Sequence, residues 1–237
     1  MNWGKVGFDP GHYEGINAGP NGYYEGNVML KLGLLLKQKG FYITREDGRD
    51  ITLIERVRRA KAAGCDTLVS LHTDWIPPDS PKSTEGTMVI YSINKPGDKE
   101  PAEYIGREIA KALGTIFRGL YTRRSTTDPS KDYYGILRHS VNLGLRYAFI
   151  VEHCNHGQLA YDTDAKLKKI ADCYERIFKG ESKVFNDFDK VSSWAKDAVK
   201  KVKEAGIMVG DGEGNFNPQK PVTREELAVV ISRILES

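Results

Sequence analysis

The sequence predicts an α/β fold: a largely parallel twisted sheet flanked by helices, followed by a small α-helical module. Three observations carry this. Between residues 5 and 178, short apolar runs alternate with amphipathic stretches of helical period. Several of the runs, such as Thr67-Leu68-Val69-Ser70-Leu71 and Phe149-Ile150-Val151, lack strict apolar/polar alternation, as strands covered on both faces do. Near Gly180-Glu181-Ser182-Lys183 the composition shifts to a shorter, turn-rich grammar. We therefore divide the 237 residues into a domain over 1–179, a linker over 180–185 and a module over 186–237.

Lys5-Val6-Gly7-Phe8 reads as the first strand. It opens into Asp9-Pro10-Gly11-His12 and a Gly/Asn-rich loop up to Gly22. A Leu-rich helix follows Glu25 and stops at Gly40, a good residue just past a helix end. Phe41–Arg45 reads as a strand. Leu53–Ala63 reads as a helix with Leu53, Ile54, Val57 and Ala60 inward. Thr67–Leu71 is the next strand, delivering His72, and Met88–Tyr91 another. A third helix is expected over Ala102–Phe117, and a short strand over Tyr133–Arg138. Arg146–Val151 is a strand that delivers Glu152, and Asp164–Phe178 a closing helix. In the last module a helix runs from Trp194 to near Gly206. A Gly/Asp/Asn-rich turn follows over Gly210–Pro218, and a final helix begins at Thr223 with Glu226 completing a capping box.

Bulk properties exclude several classes. The formal net charge is +3, from 35 basic and 32 acidic side chains, too balanced to argue for nucleic acid. No run of about 18 apolar residues is present, so no membrane insertion is expected. Cys65, Cys154 and Cys173 are an odd set without CxxC spacing, as expected of reduced thiols. The start of the sequence has no basic segment followed by an apolar one. We therefore expect no signal peptide.

Candidate chemistry gathers at one rim of the sheet, where ligands of open α/β sheets bind. His12 follows the first strand, Glu25 heads the first helix, and His72 and Glu152 follow two further strands. Two histidines and a carboxylate are a known ligand set for catalytic zinc with an open fourth position. A water bound there has its pKa lowered to about 7. Glu152, at the mouth of a dry strand, suits a general base and then acid. Each residue also has a plain reading: His12 as a surface or core histidine, Glu25 as a helix N-terminal carboxylate, Glu152 as a salt-bridge partner.

Residues 5 to about 178 resemble the zinc-dependent N-acetylmuramoyl-L-alanine amidases of the type 3 amidase family. The resemblance is carried by Asp9-Pro10-Gly11-His12, Glu25 before a Leu-rich helix, Thr44-Arg45, Leu53-Ile54-Glu55-Arg56, Ser70-Leu71-His72, Gly135-Ile136-Leu137-Arg138 and Val151-Glu152. It implies one Zn2+ per catalytic domain on His12, Glu25 and His72, with Glu152 catalytic. The reaction implied is cleavage of the amide between N-acetylmuramic acid and L-alanine in peptidoglycan. The chain departs from the family pattern at Tyr13-Glu14, at Asp74 and at His153-Cys154-Asn155-His156. Asp9, Arg45, Asp74 and His153 are candidates for supporting the ligands or touching substrate, Asp9 by orienting His12. His153 and His156 stand as alternative ligands, substrate contacts or pocket wall.

The last module resembles a surface-layer homology domain through Phe188, Trp194-Ala195, Gly206-Ile207, Gly210-Asp211-Gly212, Phe216-Asn217-Pro218 and Thr223-Arg224-Glu225-Glu226. That implies a secondary cell-wall polysaccharide as partner, with Trp194 and Arg224 as candidate contacts. Arg224 suits an anionic sugar and equally a helix neighbour. The two resemblances together imply a wall-targeted peptidoglycan hydrolase resembling a phage endolysin, made in a host cytoplasm without a signal peptide and acting on the cell wall after release. A bacterial autolysin, a stem-peptide zinc peptidase and a non-catalytic wall-binding protein are the rivals.

Overall fold

In a computed structural model describing residues 1–19, 22–75, 85–155, 163–180 and 184–236, the first apolar run becomes strand β1, Val6–Pro10, buried throughout. It extends two residues past the expected end, so Asp9 and Pro10 belong to the sheet. Helix α1, Glu25–Gln38, buries Val28, Met29, Leu32 and Leu36. Strand β2 is only Tyr42–Ile43, shorter than the expected Phe41–Arg45. Helix α2, Leu53–Ala62, turns Arg56, Val57 and Ala60 inward, while Leu53, expected inward, is exposed. Strand β3, Thr67–Asp74, and strand β4, Thr87–Tyr91, follow.

The third helix, α3, is Lys99–Leu113. Gly114 ends it at a φ of 69°, a conformation that only glycine adopts cheaply. The residues beyond it form a strand the sequence reading missed, β5, Phe117–Tyr121. Gly135–Asn142 is helix α4, and the strand expected over Tyr133–Arg138 is absent. Tyr and Ile favour strands in isolation. Here Ile136 and Leu137 are instead buried in a cluster with Val57 and Ala60 of α2, and burial outweighs local propensity. Strand β6, Tyr147–Asn155, and helix α5, Asp164–Lys179, close this part.

The sheet order is β2-β1-β3-β6-β4-β5. The pairs β1–β2, β1–β3, β3–β6 and β4–β5 are parallel, and β4–β6 is antiparallel. Strand alternation divides the core in two. Phe8, Val69, Leu71, Val89, Phe149 and Val151 pack under α1, α3 and α5. Leu68, Ile90, Ala148 and Ile150 pack under α2 and α4. Side chains in step with the second set, further along the same strands, are those that build the site.

Contacts divide the chain into two compact units, Met1–Gly180 and Glu181–Ser237. In the second, Trp194 belongs to a 3-10 turn, Ser193–Ala195, and helix α6 starts after it at Lys196–Glu204. Helix α7, Arg224–Leu235, carries the expected capping box between Thr223 and Glu226. Phe185, Val191 and Val199 form its small core. No helix among the described residues is long and apolar enough to cross a membrane.

Candidate metal centre

Register places the site. Asp9 pairs with Ser70 across β1–β3, and His72 pairs with Glu152 across β3–β6. Asp9, Ser70, His72 and Glu152 therefore share the sheet face covered by α2 and α4. His72 and Glu152 lie inside their strands rather than past the ends expected for them, so both are held by ladder hydrogen bonds. Gly11 follows β1 with no room for a side chain. A Cβ there would stand 2.4 Å from the Leu71 carbonyl oxygen and 2.5 Å from His72 Cε1.

His12 adopts a left-handed φ of 56°, an uncommon conformation for a residue with a Cβ. Two buried arginines hold the turn. Arg56 donates to the carbonyl oxygens of Pro10 and His12, both at 2.7 Å. Arg45 donates to those of Pro10 at 3.1 Å and of Gly11 and Gly26 at 3.0 Å each. Gly26 admits the loop closely, since a Cβ would meet the Tyr13 carbonyl oxygen at 1.9 Å.

Glu25, the first residue of α1, is buried between the two histidines. Its Oε1 lies 2.9 Å from His72 Nδ1 and accepts from the Thr73 amide at 2.9 Å. Its Oε2 lies 3.3 Å from His12 Nε2 and accepts from the Asn17 amide at 2.8 Å. Asn17 Nδ2 also stands 2.9 Å from His12 Nε2. Burial alone would push the Glu25 carboxyl up. Its contacts with His12 and His72 prevail and hold it below the ordinary carboxylate range.

The ligand atoms of His12, Glu25 and His72 lie within 4.8 Å of one another. The chemistry of this donor set fits a divalent cation. Two imidazoles and a carboxylate bring lone pairs to one point, an arrangement that a shared positive charge stabilises, and the set matches catalytic zinc.

Glu152 stands beside this cluster. Its Oε2 is buried and has no hydrogen-bond partner among the described residues. Burial drives its carboxyl well above the ordinary value. The negative charges of Glu25 and Asp74 push the same way, against Arg118. A carboxyl so placed is more basic than an ordinary one, as a group that takes up a proton and returns it must be.

The remaining candidates divide. Asp9 does not touch the His12 ring. It accepts from Thr44 and from Ser70, and pairs with Arg56 at 3.3 Å. Arg45 is buried against backbone carbonyls, which removes it from reach of a polymer. Asp74 pairs with Arg118 of β5 at 2.8 Å. His153 is turned away from the cluster. It alternates to the opposite face, with Nδ1 2.8 Å from the His72 carbonyl oxygen and Nε2 2.8 Å from the Tyr174 hydroxyl. Burial pulls its pKa down to about 4. His156 lies outside the described residues. Asn17 was missed, and no spacing in its Gly/Asn-rich loop marks it out. Ser70 and Arg56 were visible only as members of motif strings.

In the second unit, Trp194 is 87% exposed, and Arg224, the first residue of α7, is exposed too. Neither lines the cavity of about 430 Å³ bounded by residues including Met208, Phe216, Pro218, Lys220 and Arg233.

Residues 4–171 match the family model described as N-acetylmuramoyl-L-alanine amidase, and residues 184–228 that of the S-layer homology domain. A curated relative, the surface-layer 125 kDa protein of Lysinibacillus sphaericus, is 47% identical over 51 residues, covering 22% of this chain and 4% of that protein. Among solved structures, Cwp6 from Clostridium difficile superposes with a TM-score of 0.61 at 23% identity, covering 76% of this chain and 29% of that one. The N-acetylmuramoyl-L-alanine amidase AmiC2 of Nostoc punctiforme superposes with a TM-score of 0.57 at 21% identity, covering 73% of this chain and 94% of that one.

Proposed function

This chain belongs to the N-acetylmuramoyl-L-alanine amidase family, and from that premise we propose that it is a zinc-dependent, wall-targeted hydrolase cutting the muramoyl–L-alanine amide of peptidoglycan. The observation that carries the reading is the pairing of His72 with Glu152. It sets a carboxyl whose Oε2 has no hydrogen-bond partner among the described residues beside a two-histidine, one-carboxylate cluster. His12, Glu25 and His72 would hold the zinc. The chemistry expected of it is Lewis-acid polarisation of the scissile carbonyl and acidification of a water molecule.

The chain's own residues do the rest. Glu152 takes the proton of the attacking water on its unpaired Oε2 and delivers it to the departing L-alanine nitrogen, acting first as base and then as acid. The sheet holds Glu152 and His72 in fixed register, so the proton carrier and the cluster do not drift apart. The Asp74–Arg118 pair adds charge of both signs near Glu152.

The S-layer homology module is the proposed anchor, with a secondary cell-wall polysaccharide as its partner. Tethering makes the catalytic encounter effectively intramolecular. The proposed setting is lysis from outside the membrane, as by a phage endolysin.

End-group analysis of purified peptidoglycan, with and without a chelator, tests the reading. The expected result is free N-terminal L-alanine that disappears when zinc is removed. A different new amino terminus would make the protein a stem-peptide peptidase. Release that persists in excess chelator would remove the metal from the mechanism.

A further inference from the structure

We infer that Ser70, held by Asp9, is a positioning residue that commits His72 to present Nδ1, and not Nε2, to the metal centre. This rests on the zinc reading above. Ser70 Oγ lies 2.8 Å from Asp9 Oδ2 and 3.2 Å from His72 Nε2. A serine hydroxyl has one proton to give. Asp9 faces the Arg56 guanidinium, and its carboxylate is the acceptor for that proton. The Ser70 oxygen then turns a lone pair toward His72. Only a protonated Nε2 can hydrogen-bond to a lone pair, so a His72 ring that gives one lone pair to a metal keeps its proton on Nε2. The free lone pair is left on Nδ1.

Packing points the same way independently. The Cε1–Nε2 edge of His72 lies against Gly11, where a Cβ would approach Cε1 to 2.5 Å and Nε2 to 2.7 Å. That edge is walled by backbone and by Ser70. Nδ1, on the other side of Cε1, faces the cluster, 2.9 Å from Glu25 Oε1. Asp9 thus supports both ligands at one remove: His72 through Ser70, and His12 through Arg56, which donates to the His12 carbonyl at 2.7 Å. Partners of this kind fix tautomer and ring orientation, and their loss lowers metal affinity by about 10–100-fold.

The test uses the full chain. Zinc stoichiometry and affinity are measured by competition with a chromophoric chelator for the wild type, Ser70→Ala and Ser70→Thr. Thermal melts of the zinc-free proteins report folding. Ser70→Ala is expected to bind zinc about 10–100-fold more weakly. Ser70→Thr, which keeps the hydroxyl, should recover most of the loss. In parallel, nitrogen-15 spectra of the zinc-loaded wild type, with only five histidines to assign, should show His72 metal-shifted at Nδ1 and protonated at Nε2. This spectrum decides the matter even if a variant does not fold. Zinc on His72 Nε2, or wild-type affinity in Ser70→Ala, overturns the inference and leaves the enzyme reading intact. A wild-type protein that binds no zinc overturns both.

Discussion

The two units of this chain handle polarity in opposite ways. The first, Met1–Gly180, buries charge: Asp9, Glu25, Arg45 and Arg56 are each at most 2% exposed. The second, Glu181–Ser237, exposes apolar surface: Val222, Leu227, Val229, Ile231 and Ile234 are all exposed, and α7 buries no residue. Buried charge is tolerated only where every group finds partners. In the first unit the arginines find backbone carbonyls and Asp9, and Glu25 finds two histidines and two amide donors. Three buried side-chain atoms among the described residues are left without a hydrogen bond, Asp98 Oδ2, Ser140 Oγ and Glu152 Oε2, and of these Glu152 Oε2 belongs to the residue paired with His72. The second unit rests on a core of Phe185, Val191 and Val199, with its final helix secured by a capping box and by Arg233 donating to the Ile207 carbonyl. A core of that size seldom supplies more than about 3–5 kcal/mol.

This contrast can be broken experimentally, beginning with the largest effect. Replacing Glu152 with Gln keeps the shape of the first unit and removes the proton carrier. Hydrolysis of the muramoyl amide should fall by about 10²–10⁴-fold, with zinc content unchanged. Retained turnover in that variant would show that the unpaired carboxyl is idle. In the second unit, Phe185→Ala removes the largest member of a three-residue core. A loss of about 3–5 kcal/mol is expected, enough to unfold the module while the first unit melts as before. Two-step calorimetry would show this, and one cooperative transition moving as a whole would contradict it.

A third prediction uses pH. The Glu152 carboxyl is raised in the folded state, chiefly by burial. The unfolded chain therefore ionises first as pH climbs past the ordinary value of 4.5, and stability falls from there until the folded group ionises too. Glu25 has the opposite sign, being lowered by its histidine contacts, so its contribution is present above its ordinary value and is lost in acid. In chelator, melting curves of Glu152→Gln and the wild type should converge near and below pH 4.5. Above it they should separate, with the variant the more stable. Parallel curves across the range would mean that the site is wetter than its burial implies. The smallest effect belongs to the surface of the second unit. Thr223→Ala breaks the capping box and should cost about 1 kcal/mol of module stability. Trp194→Ala, at an exposed position, should stay within about 0.5 kcal/mol.

Much of the fold was legible because parallel strands and amphipathic helices write different periods into a chain. The helices at Glu25–Gln38 and Asp164–Lys179 and the apolar run of β3 were readable in this way. The failures share a cause. β5 is an edge strand whose residues are mostly half-buried, so its pattern is weak: Phe117 reads as the end of the preceding helix and the residues after it as no element. Helix α4 begins with residues that favour strands, and only its packing beside Val57 and Ala60 makes it helical. Among site residues, His12, His72 and Glu152 were readable by type and by position near strand ends, and Glu25 by its place at the head of a helix. The direction of His153 was not readable, because one step along a strand reverses the side chain and the sequence does not say which face is covered by α5.

The sequence by itself determined the element types, the change of character near residue 180 and the set of groups able to bind metal or carry a proton. Periodicity, glycine placement and side-chain chemistry are properties of the chain and need no partner to be read. Only the tertiary structure decided the rest: that Asp9 meets Ser70 and His72 meets Glu152, that Arg45 lies beyond the reach of substrate, and that His72 turns Nδ1 toward Glu25. These depend on register and on which faces are covered. Both are set when distant strands pair, and neither leaves a mark in the local sequence.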